Sequence, residues 1–527
     1  MRGDLNDNWF MNGAESLLRT LVSNGVEVCF MNPGTSEMQF VAALDRVAGM
    51  RPVLCLYEGV CSGAADGYAR MTGRPAATLL HLGPGLANGL SNFHNARKAR
   101  SPIVSIVGEH STQHQRYDAP LSADIAAFAR SVTNEVRTVA TAAEIGLAAS
   151  ETVAAALLPP GQIAMLIVPA DLSWSEVGTS GPIVPKPVRS VPEPGRVREL
   201  ASRLRSRDAT GLLLGGSTLT ERGLDAAARL ADATGVRVFA DRNAARMQSG
   251  RGRFQPQRIA YFPEHASAQL SGLQDLILVE AKAPVSFFGY PDQPSFLAPE
   301  DCRIHTLADL DQDGSAALEA LAAECKAAAS PAQQERFGAP TWQPDSVLTP
   351  DTVGAIIGTL LPHDAIVSDE MVSASAAVWP HLTRAAQHDF LPVTGGSIGQ
   401  GLPVALGAAI ACPERKVIAL EADGSGMYTP QALWSMAREK ADVTVVIFAN
   451  SRYRILDIEM QRTGASGFGP LAETMIDIGR PRLDWVQLSG SMGVPATSAE
   501  TAGQFANAFR SALALRGPRL IEVRIQD

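Results

Sequence analysis

Asp423 and Asn450 stand 27 positions apart, and the stretch Ala422-Asp423-Gly424-Ser425-Gly426 around the first has the residue types to hold an anion through a cation. It follows an apolar run at 416–421 and leads, through a helical stretch at 429–440, into a second apolar run at 443–449 that ends in Asn450-Ser451-Arg452. An apolar run, a glycine turn, an amphipathic helix and another apolar run describe a βαβ unit, whose parallel strands are buried on both faces. Asp423 and Asn450 then stand at the carboxyl ends of two strands. That edge is where open α/β sheets bind ligands, and a Gly-rich turn running into a helix offers N–H groups to phosphate. The chemistry implied is a diphosphate held by a hard cation. An Asp-Gly turn after a strand is common by itself, and Asn450 at the matching place on the next strand sets this one apart.

A second set of polar residues lies upstream. Apolar runs at 26–31, 52–57, 76–81, 102–107 and 163–168 alternate with Ala/Leu-rich helical stretches, the pattern of a parallel sheet built from βαβ units. Asn32-Pro33-Gly34-Thr35 follows the first run, Glu58 the second, His81-Leu82-Gly83-Pro84-Gly85 with Asn88 the third, and Gly108-Glu109-His110 the fourth. A ligand at a switch point in strand order would meet all of them. Glu58 has the apolar neighbours Leu54, Leu56 and Val60, which favour its neutral form by desolvation. As a surface residue it would instead cap a helix starting near Val60. His81 could move a proton beside a substrate, or be a hydrogen-bonded structural residue.

The rest of the chain must position these groups. Its 527 residues exceed one hydrophobic core and predict about three domains. Apolar residues at 46%, charged at 19% and aromatic at 6% fit an Ala/Val/Leu-rich α/β protein. A net charge of −9 without a Lys/Arg run argues against nucleic acid or an anionic membrane as partner. Cys29, Cys55, Cys61, Cys302, Cys325 and Cys412 show no CxxC spacing and read as reduced, buried, non-catalytic thiols. Residues 1–10 carry two acids and no apolar core, unlike a signal peptide, and no apolar run approaches ~18 residues, so a cytoplasmic protein is expected. Pro-rich stretches at 181–195 and 330–350 mark boundaries. They predict domains at 1–180, 190–330 and 345–527. The middle one repeats the βα pattern at 210–217, 236–240 and 275–280, and its Gly215-Gly216 lacks the full G-x-G-x-x-G, which favours a tight structural turn over a dinucleotide site. The last resumes the pattern with 365–367, the Gly-rich 395–401 and a closing strand at 519–525.

Asp423-Gly424-Ser425 with Asn450, and with Tyr428, Leu433-Trp434 and Tyr453 about them, resembles the thiamine diphosphate signature of the 2-oxoacid decarboxylase and acetolactate synthase family. Glu58 followed by Ala65-Asp66-Gly67-Tyr68-Ala69-Arg70 looks like that family's catalytic-glutamate segment, and Gly395-Gly396-Ser397-Ile398-Gly399-Gln400-Gly401-Leu402-Pro403 looks like its cofactor-bending turn. The motifs agree in order and spacing, so the resemblance covers essentially the whole chain. Within the family the resemblance is first to short acetolactate-synthase-like proteins, through Asn32-Pro33-Gly34-Thr35-Ser36-Glu37 and Tyr117-Asp118-Ala119-Pro120-Leu121. Benzoylformate decarboxylase is second, through His81 and Asn88.

The resemblance implies an α/β fold of three doubly wound parallel-sheet domains of the thiamine diphosphate-enzyme type: pyrimidine-binding, central and diphosphate-binding. It implies thiamine diphosphate and Mg²⁺ as cofactors. The cation would be held by Asp423, the Asn450 side-chain carbonyl and the Arg452 backbone carbonyl, since Mg²⁺ takes one or two protein oxygens plus phosphate oxygens. Gly424 and Ser425 would present N–H groups to the diphosphate, with Tyr453 beside them. Ile398 would bend the cofactor and the Gly396 carbonyl would accept from its 4′-amino group. Glu58 would promote the imino tautomer of the aminopyrimidine from N1′, and His81 would act near the substrate carboxyl. Thr35, Leu121, Ile455 and Leu456 would line the substrate pocket, with His110, His114 and Tyr117 at its mouth.

Three departures from the family pattern bear on the reaction. Pro120-Leu121 stands where the synthases carry Phe-Gln, the stretch 287–292 lacks the decarboxylase's second histidine, and Ala422 and Ala449 replace the usual Gly and Asn. The implied activity is acetolactate-synthase-like decarboxylation of a 2-oxoacid with carboligation. The alternatives are a non-ligating decarboxylase of the benzoylformate decarboxylase type and a non-catalytic cofactor-binding paralogue. A homodimer or homotetramer is implied, because the family's cofactor lies between subunits. FAD, carried in some relatives' middle domain, stays open and without support in this sequence.

Overall fold

The β-branched and leucine-rich runs of this chain form three mainly parallel sheets with helices between their strands. The structure, a computed structural model, describes residues 11–206, 209–328, 342–465, 467 and 469–526. The readings of residues 1–10 as lacking a signal peptide, and of 330–340 as a boundary, lie outside the described residues. The chain divides into two compact units, Met1–Pro187 and Val188–Asp527, at a point inside the Pro-rich stretch read as a linker.

In the first unit, six parallel strands run in the spatial order Arg51–Leu54, Val28–Asn32, Ala76–Leu80, Ile103–Glu109, Ile163–Pro169 and Glu135–Thr138. Ala76–Leu80 and Ile163–Pro169 are buried throughout, as expected of strands covered on both faces. Each large apolar side chain among them, such as Leu79, Leu80, Ile163 and Leu166, stabilises the fold by roughly 1.5–3 kcal/mol. From Val28–Asn32 the chain passes first to one side and then to the other. The switch point therefore falls between the ends of Val28–Asn32 and Ala76–Leu80, where Gly34 and His81 stand.

The second unit holds two sheets. Five parallel strands run in the order Gln257–Arg258, Arg237–Ala240, Thr210–Leu214, Asp275–Val279 and Arg303–Ala308. The other sheet runs Met247–Ser249, His388–Pro392, Ala365–Glu370, Val417–Ala422, Val443–Ala449, Arg519–Arg524 and Ala496–Ala499, with only the first strand antiparallel. Met247–Ser249 comes from the middle of the chain, and Leu204, Leu230, Leu420 and Phe505 belong to one buried cluster, so these two sheets share a core. Their switch points lie between Thr210–Leu214 and Asp275–Val279, and between Ala365–Glu370 and Val417–Ala422.

Among the strands that escaped the sequence reading are Glu135–Thr138, Arg303–Ala308, His388–Pro392 and Ala496–Ala499. The first, second and fourth are sheet edges with polar, partly exposed residues, which carry no continuous apolar run. Among the described residues no helix is long and apolar enough to cross a membrane. All six cysteines are free, four of them buried and two partly exposed.

Candidate active site

In the first unit, Glu58 is the first residue of the helix Glu58–Thr72, not a cap on one starting near Val60, and is only 8% exposed. Its Oε2 accepts from the Asn88 amide at 3.0 Å. A Cβ at Gly85 would lie 3.3 Å from Glu58 Oε1 and 3.5 Å from the His81 Cβ, so the two side chains flank one bare stretch of backbone. His81 precedes the helix Leu82–Ala99, and Leu82 takes a left-handed φ of 50°, a strained conformation of the kind that collects at functional sites. Its Nδ1 lies 2.9 Å from Glu37 Oε2, and its side chain is 23% exposed. Thr35 is exposed at the start of the 3₁₀ turn Thr35–Glu37. Leu121 and Tyr117 are also exposed, and the Tyr117, His114 and His110 rings pack in sequence with centroids 5.8 and 5.2 Å apart.

In the second unit, a cavity opens at the switch point of the C-terminal sheet. Its lining includes Ile398, Asp423, Gly424, Asn450, Tyr453 and Ile455. Asp423 is buried at the end of Val417–Ala422; its Oδ1 accepts from Gly424 N–H at 2.9 Å and its Oδ2 from Ser451 N–H at 2.7 Å. Burial pushes this carboxyl up to about 6, although those N–H groups pull it down. Ser451 reaches it from a left-handed φ of 58°. Asn450 Oδ1 accepts from Arg452 N–H at 3.1 Å, and the Arg452 guanidinium is clamped by Asp457 and Glu473. A Cβ at Gly424 would sit 2.5 Å from Tyr453 Cε1, so only a bare backbone leaves the Tyr453 ring its place. Val372, also on the cavity wall, has φ 52°, which is rare for a β-branched residue.

Two buried acids support this cavity from below. Glu370 and Glu421 are cross-strand neighbours. Glu370 accepts from Gly399 N–H at 2.8 Å and Gly401 N–H at 2.6 Å, and Glu421 accepts from Ser425 Oγ at 2.9 Å. Burial pushes both carboxyls up, and the charge of Glu370 raises Glu421 further, while the turn's N–H groups hold Glu370 down. The pair thus ties the turn 395–401 to the Asp423 loop. Among the described residues, no three His, Cys, Asp or Glu side chains are grouped to hold a metal ion.

The middle sheet's switch point is filled from within. Glu280 is buried with φ 49°, and its carboxylate accepts from Ser217 N–H at 2.9 Å, Ser217 Oγ at 2.5 Å, Gly314 N–H at 2.8 Å and Arg189 Nη1 at 3.0 Å. The N–H groups that a ligand phosphate would seek are taken by this side chain.

Residues 11–147 match the thiamine pyrophosphate enzyme N-terminal TPP binding domain, and 372–523 match the C-terminal TPP binding domain. A protein of Mycobacterium tuberculosis (strain ATCC 25618 / H37Rv) named "Putative acetolactate synthase large subunit IlvX" is 49% identical, over 97% of this chain and 99% of its own. The chain belongs to the thiamine pyrophosphate enzyme family. Benzoylformate decarboxylase of Pseudomonas aeruginosa is 30% identical over 95% of this chain and 97% of its own. The structure of a thiamine diphosphate-dependent 4-hydroxybenzoylformate decarboxylase from Rhodococcus jostii RHA1 superposes with a TM-score of 0.85, at 26% identity and over 98% and 99% of the two chains. The protein is thus a thiamine diphosphate-dependent enzyme of the acetolactate synthase and decarboxylase type.

Of the residues named from sequence, the structure brings Glu58 and His81 together in the first unit and gathers Ile398, Asp423, Gly424, Ser425, Asn450, Arg452, Tyr453 and Ile455 around one cavity in the second. Leu456 does not line that cavity and is 44% exposed, because the helix Arg454–Arg462 turns it away from Ile455. Gly396 is exposed under the Phe287 ring, whose Cζ would be 2.3 Å from an added Cβ. The Gly424 N–H is already bonded to Asp423, so this glycine offers the site space rather than a free donor. Glu37, Glu370 and Glu421 were missed as site residues. The strand-end rule that singles out Glu58 also applies to Glu370, and Gly34 with Glu37 has capping-box spacing.

Proposed function

We propose that this enzyme binds thiamine diphosphate with Mg²⁺ and decarboxylates a 2-oxoacid, then joins the product to a second carbonyl compound as in acetolactate synthesis. The observation that carries the reading is the cavity in which Asp423, Gly424, Asn450, Tyr453 and Ile398 meet at the switch point of the C-terminal sheet. Its donor set fits the cofactor: one carboxylate, one amide oxygen and a loop carbonyl suit Mg²⁺ shared with phosphate oxygens. Asp423, Asn450 and the Arg452 carbonyl would hold the cation, and the Ser425 loop the diphosphate. Ile398 and the Gly396 carbonyl would fix the bend of the molecule. The bound cofactor supplies the electron sink that a 2-oxoacid needs to lose CO₂.

Glu58, itself buried, would hold a proton at the pyrimidine N1′, with Asn88 keeping the carboxyl in place. His81 would hold or move a proton beside the substrate carboxyl, and Thr35, Leu121 and Ile455 are proposed as further pocket residues. A second reading, decarboxylation without ligation, is favoured by the partly exposed His81 and by Pro120-Leu121 in place of the synthases' Phe-Gln. We further propose a homodimer or homotetramer in the cytoplasm, to be checked by elution volume at micromolar concentration.

The test is CO₂ release from pyruvate, 2-oxobutyrate and benzoylformate, each alone and with an aldehyde, with products identified by mass spectrometry. Glu58→Gln is expected to lower release by a factor on the order of 10²–10⁴, the usual range for a general acid–base group. Unaltered release by this variant would show the mechanism to be wrong. A ligated product supports the first reading, and an aldehyde alone the second.

A further inference from the structure

Glu37 has no part in the function proposed above, yet it is a buried carboxyl at the first unit's switch point. Its Oε2 accepts from Gly34 N–H at 2.7 Å and lies 2.9 Å from His81 Nδ1. Its Oε1 is buried without a hydrogen-bond partner. The carboxyl lies over Gly108 at the end of Ile103–Glu109, where an added Cβ would meet Oε1 at 1.6 Å. The ring it touches is equally confined: an added Cβ at Gly34 would stand 2.3 Å from His81 Cγ and Nδ1. Two bare backbone positions thus make room for one carboxylate and one imidazole. Burial pushes the Glu37 carboxyl up, while the imidazole and the Gly34 N–H hold it down. Among the described residues, His81 Nε2 has no hydrogen-bond partner.

We propose that Glu37 is the positioning residue of His81: it accepts from Nδ1–H, fixes the neutral ring as the tautomer with a bare Nε2, and aims that nitrogen at the substrate. The geometry repeats a general pattern in which a working imidazole is oriented through its other nitrogen by a carboxylate. The same carboxylate holds the Gly34 N–H, so the turn before Thr35 and the ring are set by one group. This inference rests on the reading that His81 acts on the substrate.

Two measurements on the full-length chain test it. The first is a kinetic cycle of wild type, Glu37→Gln, His81→Ala and the double variant, each loaded with thiamine diphosphate and Mg²⁺ and assayed for CO₂ release from the three 2-oxoacids above. Glu37→Gln is expected to lower kcat about 10–100-fold with KM little changed, as for other groups that orient a working histidine. In the His81→Ala background the same change should matter less than about twofold, since residues acting as a unit are not additive. Equal losses in both backgrounds would overturn the inference while leaving His81 in its role. An unaltered kcat for His81→Ala would overturn the role of His81 and the inference with it. The second measurement needs no turnover: ¹⁵N spectra of the cofactor-free protein at pH 8, with the His81 signals assigned by their loss in His81→Ala. The neutral ring is expected to carry its proton on Nδ1 in wild type and to lose that preference in Glu37→Ala. A neutral wild-type ring protonated at Nε2 would refute the hold directly, with or without an active substrate.

Discussion

For the cation proposed at Asp423, the buried carboxyl would make binding pH-dependent in a range where an ordinary aspartate would be inert. A cation takes only the ionised carboxylate, so proton and metal compete for one group. With the carboxyl raised to about 6, binding is at full strength above that value and weakens as pH falls through it. Lowering the pH from about 7.5 to about 5 should therefore raise the dissociation constant about tenfold, or ~1.4 kcal/mol. An aspartate with an ordinary value near ~3.9 would change it by less than about a tenth. The sign for folding runs the other way. A raised acid contributes stability at low pH that is lost as pH rises through about 6, so the metal-free chain is penalised at neutral pH and a bound cation removes the penalty. The assay is titration of the cofactor-free, full-length protein with Mn²⁺ alone, followed by water-proton relaxation. Omitting the cofactor removes the diphosphate's own protonation, and Asn450→Ala gives the background from adventitious sites. A change below about twofold between the two pH values would refute the reasoning.

Three further outcomes follow from the placement of single residues. Gly34→Ala should leave the fold intact, because its φ of −116° and ψ of −160° suit any residue, but its Cβ would meet the His81 ring at 2.3 Å. Displacing that ring by about 1 Å should lower kcat/KM on the order of 10²-fold with an unchanged melting temperature, and full activity would remove His81 from the reaction. Glu280→Ala should cost about 3 kcal/mol in chemical denaturation, since it leaves the Ser217 and Gly314 N–H groups and Arg189 without their acceptor. With Glu280 in place, the purified protein should be colourless and FAD should not bind in calorimetry; a yellow protein would overturn the view that this side chain fills the middle sheet's ligand position.

Local physics made much of this protein readable in one dimension. Val443–Ala449 is a continuous apolar run because both of its faces are covered, and it appears in the structure with the bounds that the run predicts. Glu58, His81, Asp423 and Asn450 are recognisable because a polar residue just past such a run stands at the binding edge of a parallel sheet, whatever the order of the strands. What the sequence does not contain is that order. Glu37 meets His81 only because Val28–Asn32 and Ala76–Leu80 lie side by side, and Glu370 meets Glu421 only because Ala365–Glu370 and Val417–Ala422 do. Likewise the Gly215-Gly216 turn reads as a weak phosphate loop until Asp275–Val279 is laid beside it and Glu280 takes the donors. Strand ends follow from hydrophobic periodicity, a property of neighbours in the chain. Which ends adjoin, and so which acids face each other, orient a ring or fill a ligand's place, is decided by the packing of segments tens to hundreds of residues apart.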